Sequence, residues 1–191
     1  MTVSEIPKTI TPNLEFRKII EETSRQKISS CFQCGKCTNG CPITFAMDIP
    51  PHKLIHLLQY GQDNDVLQSD TIWVCASCET CTTRCPNGID IAHVMDTLRQ
   101  LSKRRGIKPN QYSVPIFHSA FLNSIKRHGR VHETEMALTY SIEDAGWLGF
   151  LKLTGLGFTM FLKGKAKLRP SRVRARKSIR NLFSKAEGKV S

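Results

Sequence analysis

This chain of 191 residues has no cysteine to spare. All eight fall inside two short stretches, 31–42 (CFQCGKCTNGCP) and 75–86 (CASCETCTTRCP). None is left over for thiol catalysis or for another metal site. Also missing are the G-x-G-x-x-G dinucleotide fingerprint, the P-loop and the G-x-S-x-G nucleophile elbow. Nothing in the sequence therefore points to a nucleotide pocket or a hydrolase site. Between the two stretches, over residues 43–74, no segment of useful length alternates apolar and polar residues as a half-buried strand does. No apolar run reaches the roughly 20 residues of a membrane-spanning helix. The longest, 147–162 (WLGFLKLTGLGFTMFL), contains Lys152 and is broken by Gly149, Gly155 and Gly157. The opening residues, MTVSEIPKTITPNLEF, carry acids and no long apolar core, so neither a signal peptide nor a membrane anchor is expected.

The two cysteine stretches are twins. Both read C-x2-C-x2-C-x3-C-P at a constant offset of 44 residues. Cysteines at i, i+3 and i+6 drift around a helix of about 3.6 residues per turn instead of sharing a face. They suit a loop curled around a compact object, and this spacing is that of bacterial two-cluster iron–sulfur proteins. Structural zinc sites use paired C-x2-4-C knuckles, and a disulfide framework wants an oxidising compartment, so both fit less well. In such runs the fourth cysteine ligates the other cluster. The expectation is one [4Fe–4S] cluster on Cys31, Cys34, Cys37 and Cys85, and a second on Cys75, Cys78, Cys81 and Cys41. A chain that holds two one-electron carriers and no substrate site is read as a relay that needs an entry and an exit partner. Phe32 and Ile43 either shield the first cluster, and Trp73 and Ile89 the second, or serve as ordinary core packing. Lys36 and Arg84 either raise a cluster's potential or point to water. His52 with His56, and His128 with His132, are spaced four apart but lack a carboxylate pattern, so they are read as surface residues.

Net charge is +12, and it is a property of the tail. Residues 163–191 hold eleven Lys/Arg and one Glu, leaving seventeen bases against fifteen acids before them. The body is nearly neutral, which argues against a whole-chain nucleic-acid binder. The basic run suits an acidic partner surface, and the apolar run before it suits a docking site.

Along the chain, Thr11-Pro12 predicts a helix start with an inward stripe of Leu14, Ile19 and Ile20. Between the motifs, Pro50-Pro51 ends a segment. Residues 53–60 (KLIHLLQY) predict a short helix with Leu54, Ile55, Leu57 and Leu58 inward, stopped by Gly61. Residues 63–68 read as a turn. After the second motif, Ile91, Val94, Met95, Leu98 and Leu101 mark a long helix, capped by Asp90 or Asn87 and ended by Gly106. Residues 115–128 predict an amphipathic helix with Ile116, Phe117, Ala120, Phe121 and Ile125 inward, ended by Gly129. Residues 131–140 predict another. The fold class is all-α: residues 1–27 an arm and helix, 28–106 a two-cluster domain, 107–162 a helical docking extension, and 163–191 a basic tail.

Paired cysteine runs around a helical insert resemble the α-helical ferredoxin domain of succinate dehydrogenase-like redox complexes. Residues 117–138 (FHSAFLNSIKRHGRVHETEMAL), the glycine-interrupted run and 162–173 (LKGKAKLRPSRV) resemble the family of iron–sulfur C subunits of heterodisulfide reductase from methanogenic archaea. That resemblance implies a cytoplasmic hetero-oligomer with no membrane span and no nucleic acid. Electrons would pass from a flavin- and iron–sulfur-bearing A subunit, fed by a hydrogenase or formate dehydrogenase. They would reach a catalytic B subunit that reduces the coenzyme M–coenzyme B heterodisulfide. Three alternatives remain open at this point. One is the iron–sulfur subunit of a glycerol-3-phosphate or thiol:fumarate type complex. Another is an iron–sulfur nucleic-acid-binding protein. The third is an interaction scaffold whose clusters are only structural.

Overall fold

The computed structural model describes residues 12–109, 112–144, 146, 162–163, 173 and 175–188. Their regular structure is all helical, with loops between the helices and no strand among the described residues. The chain divides into two compact units, Met1–Gln111 and Tyr112–Ser191.

The first unit contains α1 (Leu14–Ser24), α2 (Lys36–Asn39), α3 (Pro51–Gln59), α4 (Asp63–Gln68), α5 (Thr71–Val74), α6 (Thr80–Thr83) and α7 (Ile91–Arg104). α7 is the hub, with α1, α4, α5 and α6 packed against it. Its apolar stripe buries Ile91, Val94, Met95 and Leu98, while Leu101 is only half-buried. Asp90 caps it by accepting the His93 N–H at 2.9 Å, and Gly106 takes φ +64° just past its end. Asn87, the other cap candidate, instead donates to the Ser30 carbonyl. From α3, Leu54, Ile55 and Leu58 are wholly buried, each worth about 1.5–3 kcal/mol of transfer free energy. α3 begins earlier than expected. Pro51 occupies its first turn, where the missing N–H costs nothing, so the Pro50-Pro51 pair starts a helix instead of ending a segment. Residues 63–68 form a helix, not a turn.

α1 also departs from expectation. Asn13, not Thr11, is its N-cap and accepts the Phe16 N–H at 3.2 Å. Its buried face is Phe16, Ile20 and Ser24, a row at i, i+4, i+8; Leu14 and Ile19 lie off that row and are exposed. The Asn13 N–H donates to the Tyr60 carbonyl at 2.9 Å, so the start of α1 rests on the end of α3. Gly61 makes this possible. It takes φ +67°, and a Cβ there would sit 1.7 Å from the Asn13 carbonyl oxygen.

The second unit contains α8 (Ser113–His128), a helical segment over 133–144 (α9) and α10 (Arg176–Gly188). Ile116, Ala120 and Ser124 form the buried face of α8. Phe117 and Phe121, expected inward, are exposed and stack with ring centroids 6.3 Å apart. Gly129 ends α8 at φ +81°, beside Val173 and Ile179, as α10 packs on α8. Part of the basic tail is thus an ordered helix. The apolar run 147–162 lies outside the described residues apart from Leu162. No helix among the described residues is long and apolar enough to cross a membrane.

Candidate metal centres

The eight cysteines surround two cavities. One is lined by Cys31, Cys34, Cys37 and Cys85. The other is lined by Cys41, Cys75, Cys78 and Cys81. Each encloses about 370 Å³, counting the space open to solvent. Three cysteines of each set come from one loop and the fourth from the other. Ile91, at the head of α7, lines both cavities. Among the described residues no group of three or more His, Cys, Asp or Glu converges as a single metal ion requires. The thiols stand around spaces, which suits a body larger than one ion.

The twin sequences fold into twin backbones. Left-handed φ occurs at Gln33 (56°) and Gly35 (73°) in the first loop, and at Ser77 (51°) and Glu79 (59°) in the second. These positions are 44 residues apart, as the cysteines are. Cys34 and Cys78, between them, keep the ordinary sign. Alternating the sign of φ turns successive N–H groups to one side and makes an anion-binding concavity of the kind found at iron–sulfur sites. Only glycine takes this conformation freely. At Gln33, Ser77 and Glu79 it costs about 1–3 kcal/mol each, a cost that marks these loops as shaped for something. The loops are not wholly irregular. The third cysteines, Cys37 and Cys81, ride on the one-turn helices α2 and α6, again 44 apart.

Two threonines not foreseen from the sequence complete the loops. Thr38 Oγ1 accepts the His52 N–H at 3.1 Å, at the start of α3. Thr82 Oγ1 accepts the Ala92 N–H at 3.4 Å, at the start of α7. Each hydroxyl fixes a helix N-terminus against a cysteine loop, and Pro51, His52, Ile91 and Ala92 accordingly line the cavities. Helix N-termini carry partial positive charge and favour anions, and an iron–sulfur cluster ligated by thiolates is one. The available signal was the shared C-T-x-x-C-P string.

Several expected neighbours change places. Ile43 lines the Cys75 cavity and Ile89 the Cys31 cavity, because each follows the fourth cysteine that reaches across. Phe32 lines the first cavity and is 74% exposed. Trp73 is buried but borders neither cavity. Lys36 lines the first cavity, whereas Arg84 lies across Gly40. His52 Nδ1 pairs with Thr38 Oγ1 at 2.7 Å. His128 and His132, rings 5.7 Å apart, both face Glu135, so that pair is engaged after all.

The thiols differ in character. Burial pushes Cys81 up to about 11, with the neighbouring Cys75 adding to it. Burial also raises Cys37. Cys78 is lowered by hydrogen bonding with the Thr80 side chain and then its backbone. A thiol must lose its proton to solvent before its sulfur can ligate a metal, so at these raised thiols metal uptake and deprotonation are coupled. One backbone donor already points at a sulfur: the Ile89 N–H donates to Cys85 Sγ at 3.4 Å.

Asp48 anchors the entry to the second loop. One of its oxygens accepts the Thr71 N–H (2.9 Å), the Ser69 hydroxyl (2.9 Å) and the adjacent Ile49 N–H (2.9 Å), and shares the single proton of the Thr71 hydroxyl (2.7 Å) with the Ile49 carbonyl (2.6 Å). The other accepts the Asp70 N–H at 3.0 Å. It therefore holds the first turn of α5, which runs directly into Cys75. Burial alone would raise its carboxyl. The bonds from Thr71, Asp70 and Ser69 outweigh that and hold it below the ordinary carboxylate value.

Residues 27–89 match the family model of the 4Fe-4S dicluster domain. The matched residues include all eight cysteines, and further relatives extend the likeness. The chain is 33% identical over 88 residues to the iron-sulfur C subunit of the CoB--CoM heterodisulfide reductase of Methanopyrus kandleri, covering 46% of each chain. It is 36% identical over 88 residues to a second form of that iron-sulfur subunit, from Methanocaldococcus jannaschii, covering 46% of this chain and 47% of that one. It is also 35% identical over 104 residues to the C2 subunit of the H(2)/formate:CoB-CoM heterodisulfide,ferredoxin reductase of Methanococcus maripaludis, covering 54% and 53%. The chain is thus a homologue of the iron–sulfur C subunit of heterodisulfide reductase, and spans about half the length of the curated relatives it matches.

Proposed function

We propose that this chain is the iron–sulfur electron-transfer subunit of a heterodisulfide reductase complex, with two [4Fe–4S] clusters and no catalytic site of its own. The observation that carries this is the four-and-four grouping of all eight cysteines around adjoining cavities that share Ile91. Cys31, Cys34, Cys37 and Cys85 would hold one cluster. Cys41, Cys75, Cys78 and Cys81 would hold the other. Bound there, such clusters supply reversible one-electron transfer at potentials tuned by hydrogen bonds, charge and solvent exposure. The chain's own residues do the rest. Left-handed backbone turns N–H groups toward the anion, Thr38 and Thr82 fix the helix N-termini, and Ile91 keeps water out between the sites.

The same reading assigns partners. Electrons enter from a flavin-bearing A subunit supplied by a hydrogenase or formate dehydrogenase. They leave to a catalytic B subunit that reduces the coenzyme M–coenzyme B heterodisulfide, in a cytoplasmic complex. The support is homology to iron–sulfur subunits of that reductase. Two tests apply. Anaerobic loading should give about eight irons per chain, four per cluster, with two interacting paramagnetic centres on reduction. Affinity capture from the native cell should retain the flavin-bearing and catalytic subunits. Stoichiometric zinc in place of iron, or clusters that cannot be reversibly reduced, would contradict the relay. Capture of a flavin dehydrogenase alone would point to a different complex.

A further inference from the structure

We propose that Gln59 and Arg99 are equivalent clamps, each holding the cysteine loop beneath its own helix, and that exchanging an amide for a guanidinium sets the two clusters apart in potential. This rests on the reading that the loops hold clusters. The internal repeat extends beyond the cysteines. Gln59, at the end of α3, donates through Nε2 to the carbonyls of Ile28 (3.4 Å) and Cys31 (3.2 Å). Arg99, on α7, donates through Nε and Nη2 to the carbonyls of Ile72 and Cys75. The receiving residues are 44 apart in both pairs. Each clamp also reaches the left-handed residue of its loop. Gln33 Nε2 donates to Gln59 Oε1 at 3.2 Å, and Arg99 Nη1 donates to Ser77 Oγ at 3.3 Å. Each is steadied from one turn earlier on its helix: His56 Nδ1 lies 3.3 Å from Gln59 Oε1, and Asp96 Oδ1 accepts from Arg99 at 2.7 Å. His56 and Asp96 are 40 apart, as the clamps themselves are and as His52 and Ala92 are.

Two unlike side chains thus occupy one structural role. A trans peptide points its C=O and its next N–H in opposite directions. Drawing the Cys31 and Cys75 carbonyls onto the helices therefore turns the N–H groups of Phe32 and Ala76 away from them, and both residues line the cavities. The clamps also hold strained backbone at Gln33 and Ser77 in place. Their difference is charge. The Arg99 side chain is 16% exposed, whereas that of its carboxylate neighbour Asp96 is 47% exposed. A positive charge beside Cys75 favours the more negative, reduced form of a cluster held there. Arg99 thus holds that cluster's potential above the value an amide clamp would give.

The test compares the full-length wild type with R99A, R99Q and Q59A, all loaded anaerobically with iron and sulfide. R99A is expected to lose the cluster on the Cys75 loop, falling to about four irons, with the other cluster's potential unchanged. Q59A is expected to lose the other cluster. R99Q should rescue loading to the wild-type level, because the twin loop already uses glutamine, while lowering the midpoint potential of the Cys75 cluster alone in an EPR redox titration. Circular dichroism checks that helix content is retained. The proposal is overturned if R99A keeps full iron and both potentials. It is equally overturned if R99Q loses iron as R99A does with helices intact, or loads fully with no potential shift. A wild type that takes up no iron would overturn the relay reading and this one with it.

Discussion

Replacing Asp48 with asparagine keeps the shape and removes the charge. Its carboxylate receives two hydroxyls and two N–H groups across a gap of more than twenty residues, all at the first turn of α5. Hydrogen bonds to an ionised acceptor contribute about 1.5–3 kcal/mol each and neutral ones about 0.5–1.5. The amide in D48N would retain the oxygen facing Thr71 but set its NH2 against the Asp70 N–H, a donor facing a donor. The site is partly open to solvent, so the full differences do not add. A comparable loss of a helix cap is worth about 0.5–2 kcal/mol. We expect about 2 kcal/mol, confined to α5 and its junction with Cys75. Because loss of bound clusters would make global unfolding irreversible, the suitable assay is native-state hydrogen exchange. The Trp73, Val74 and Cys75 amides, which bond back to Asp70 and Thr71, should exchange roughly 30-fold faster in D48N, at about 1.4 kcal/mol per tenfold. Amides of α1 should not change. The sign with pH follows from the lowered carboxyl. The stabilisation is fully present above the unfolded-state value of about 3.9 and is lost as pH falls through the lower folded value. Wild type and D48N should therefore converge at strongly acid pH. A uniform increase across all helices, or less than a threefold change in α5, would refute the reasoning.

Gly61→Ala should destabilise the first unit by about 3 kcal/mol or more, since it adds left-handed strain to a Cβ that meets the Asn13 carbonyl at 1.7 Å; an unchanged melting profile of the loaded protein would contradict the packing of α1. Ile91→Ala removes a side chain common to both cavities and should cost about 2–5 kcal/mol. It should quicken oxygen bleaching of both clusters, and bleaching of only one would show that Ile91 does not lie between them. In the second unit, burial opposes ionisation of Glu135, but Arg127 and His128 outweigh it and lower its carboxyl. Its contribution should be present above the ordinary glutamate value and vanish as pH falls through the folded one. Glu135→Gln should therefore weaken exchange protection of 133–144 at neutral pH and not at strongly acid pH.

Much of the first unit was legible because its signals are local. The cysteine spacing, the apolar stripe of α7 with its Asp90 cap, and the Gly106 and Gly129 stops all act within a few residues of themselves. What was not legible depends on long-range pairing. Thr38, Thr82, Gln59, Arg99 and Asp48 are ordinary polar residues until the fold brings a distant carbonyl or N–H to meet them. The exchange of Ile43 and Ile89 between cavities has the same origin, since the chain past each fourth cysteine belongs to the other loop's surroundings. Phe117 and Phe121 misled for a different reason. A helical stripe identifies a face, but Ile116, Ala120 and Ser124 supply a competing one with smaller side chains that permit closer approach. The helix of 176–188 was hidden by its charge, because basic runs read as solvated tails although Ile179 here packs near Gly129.

Both proposed clusters depend on the crossing of the fourth cysteines, and paired single-cysteine variants test it directly. Cys41→Ser, Cys78→Ser, Cys85→Ser and Cys34→Ser would each be loaded anaerobically, reduced and recorded by EPR with redox titration. With crossed ligation, Cys41→Ser and Cys78→Ser leave the same surviving cluster, with one spectrum and one midpoint potential, and Cys85→Ser and Cys34→Ser leave the other. A Cys41→Ser spectrum that coincides with that of Cys34→Ser would contradict it.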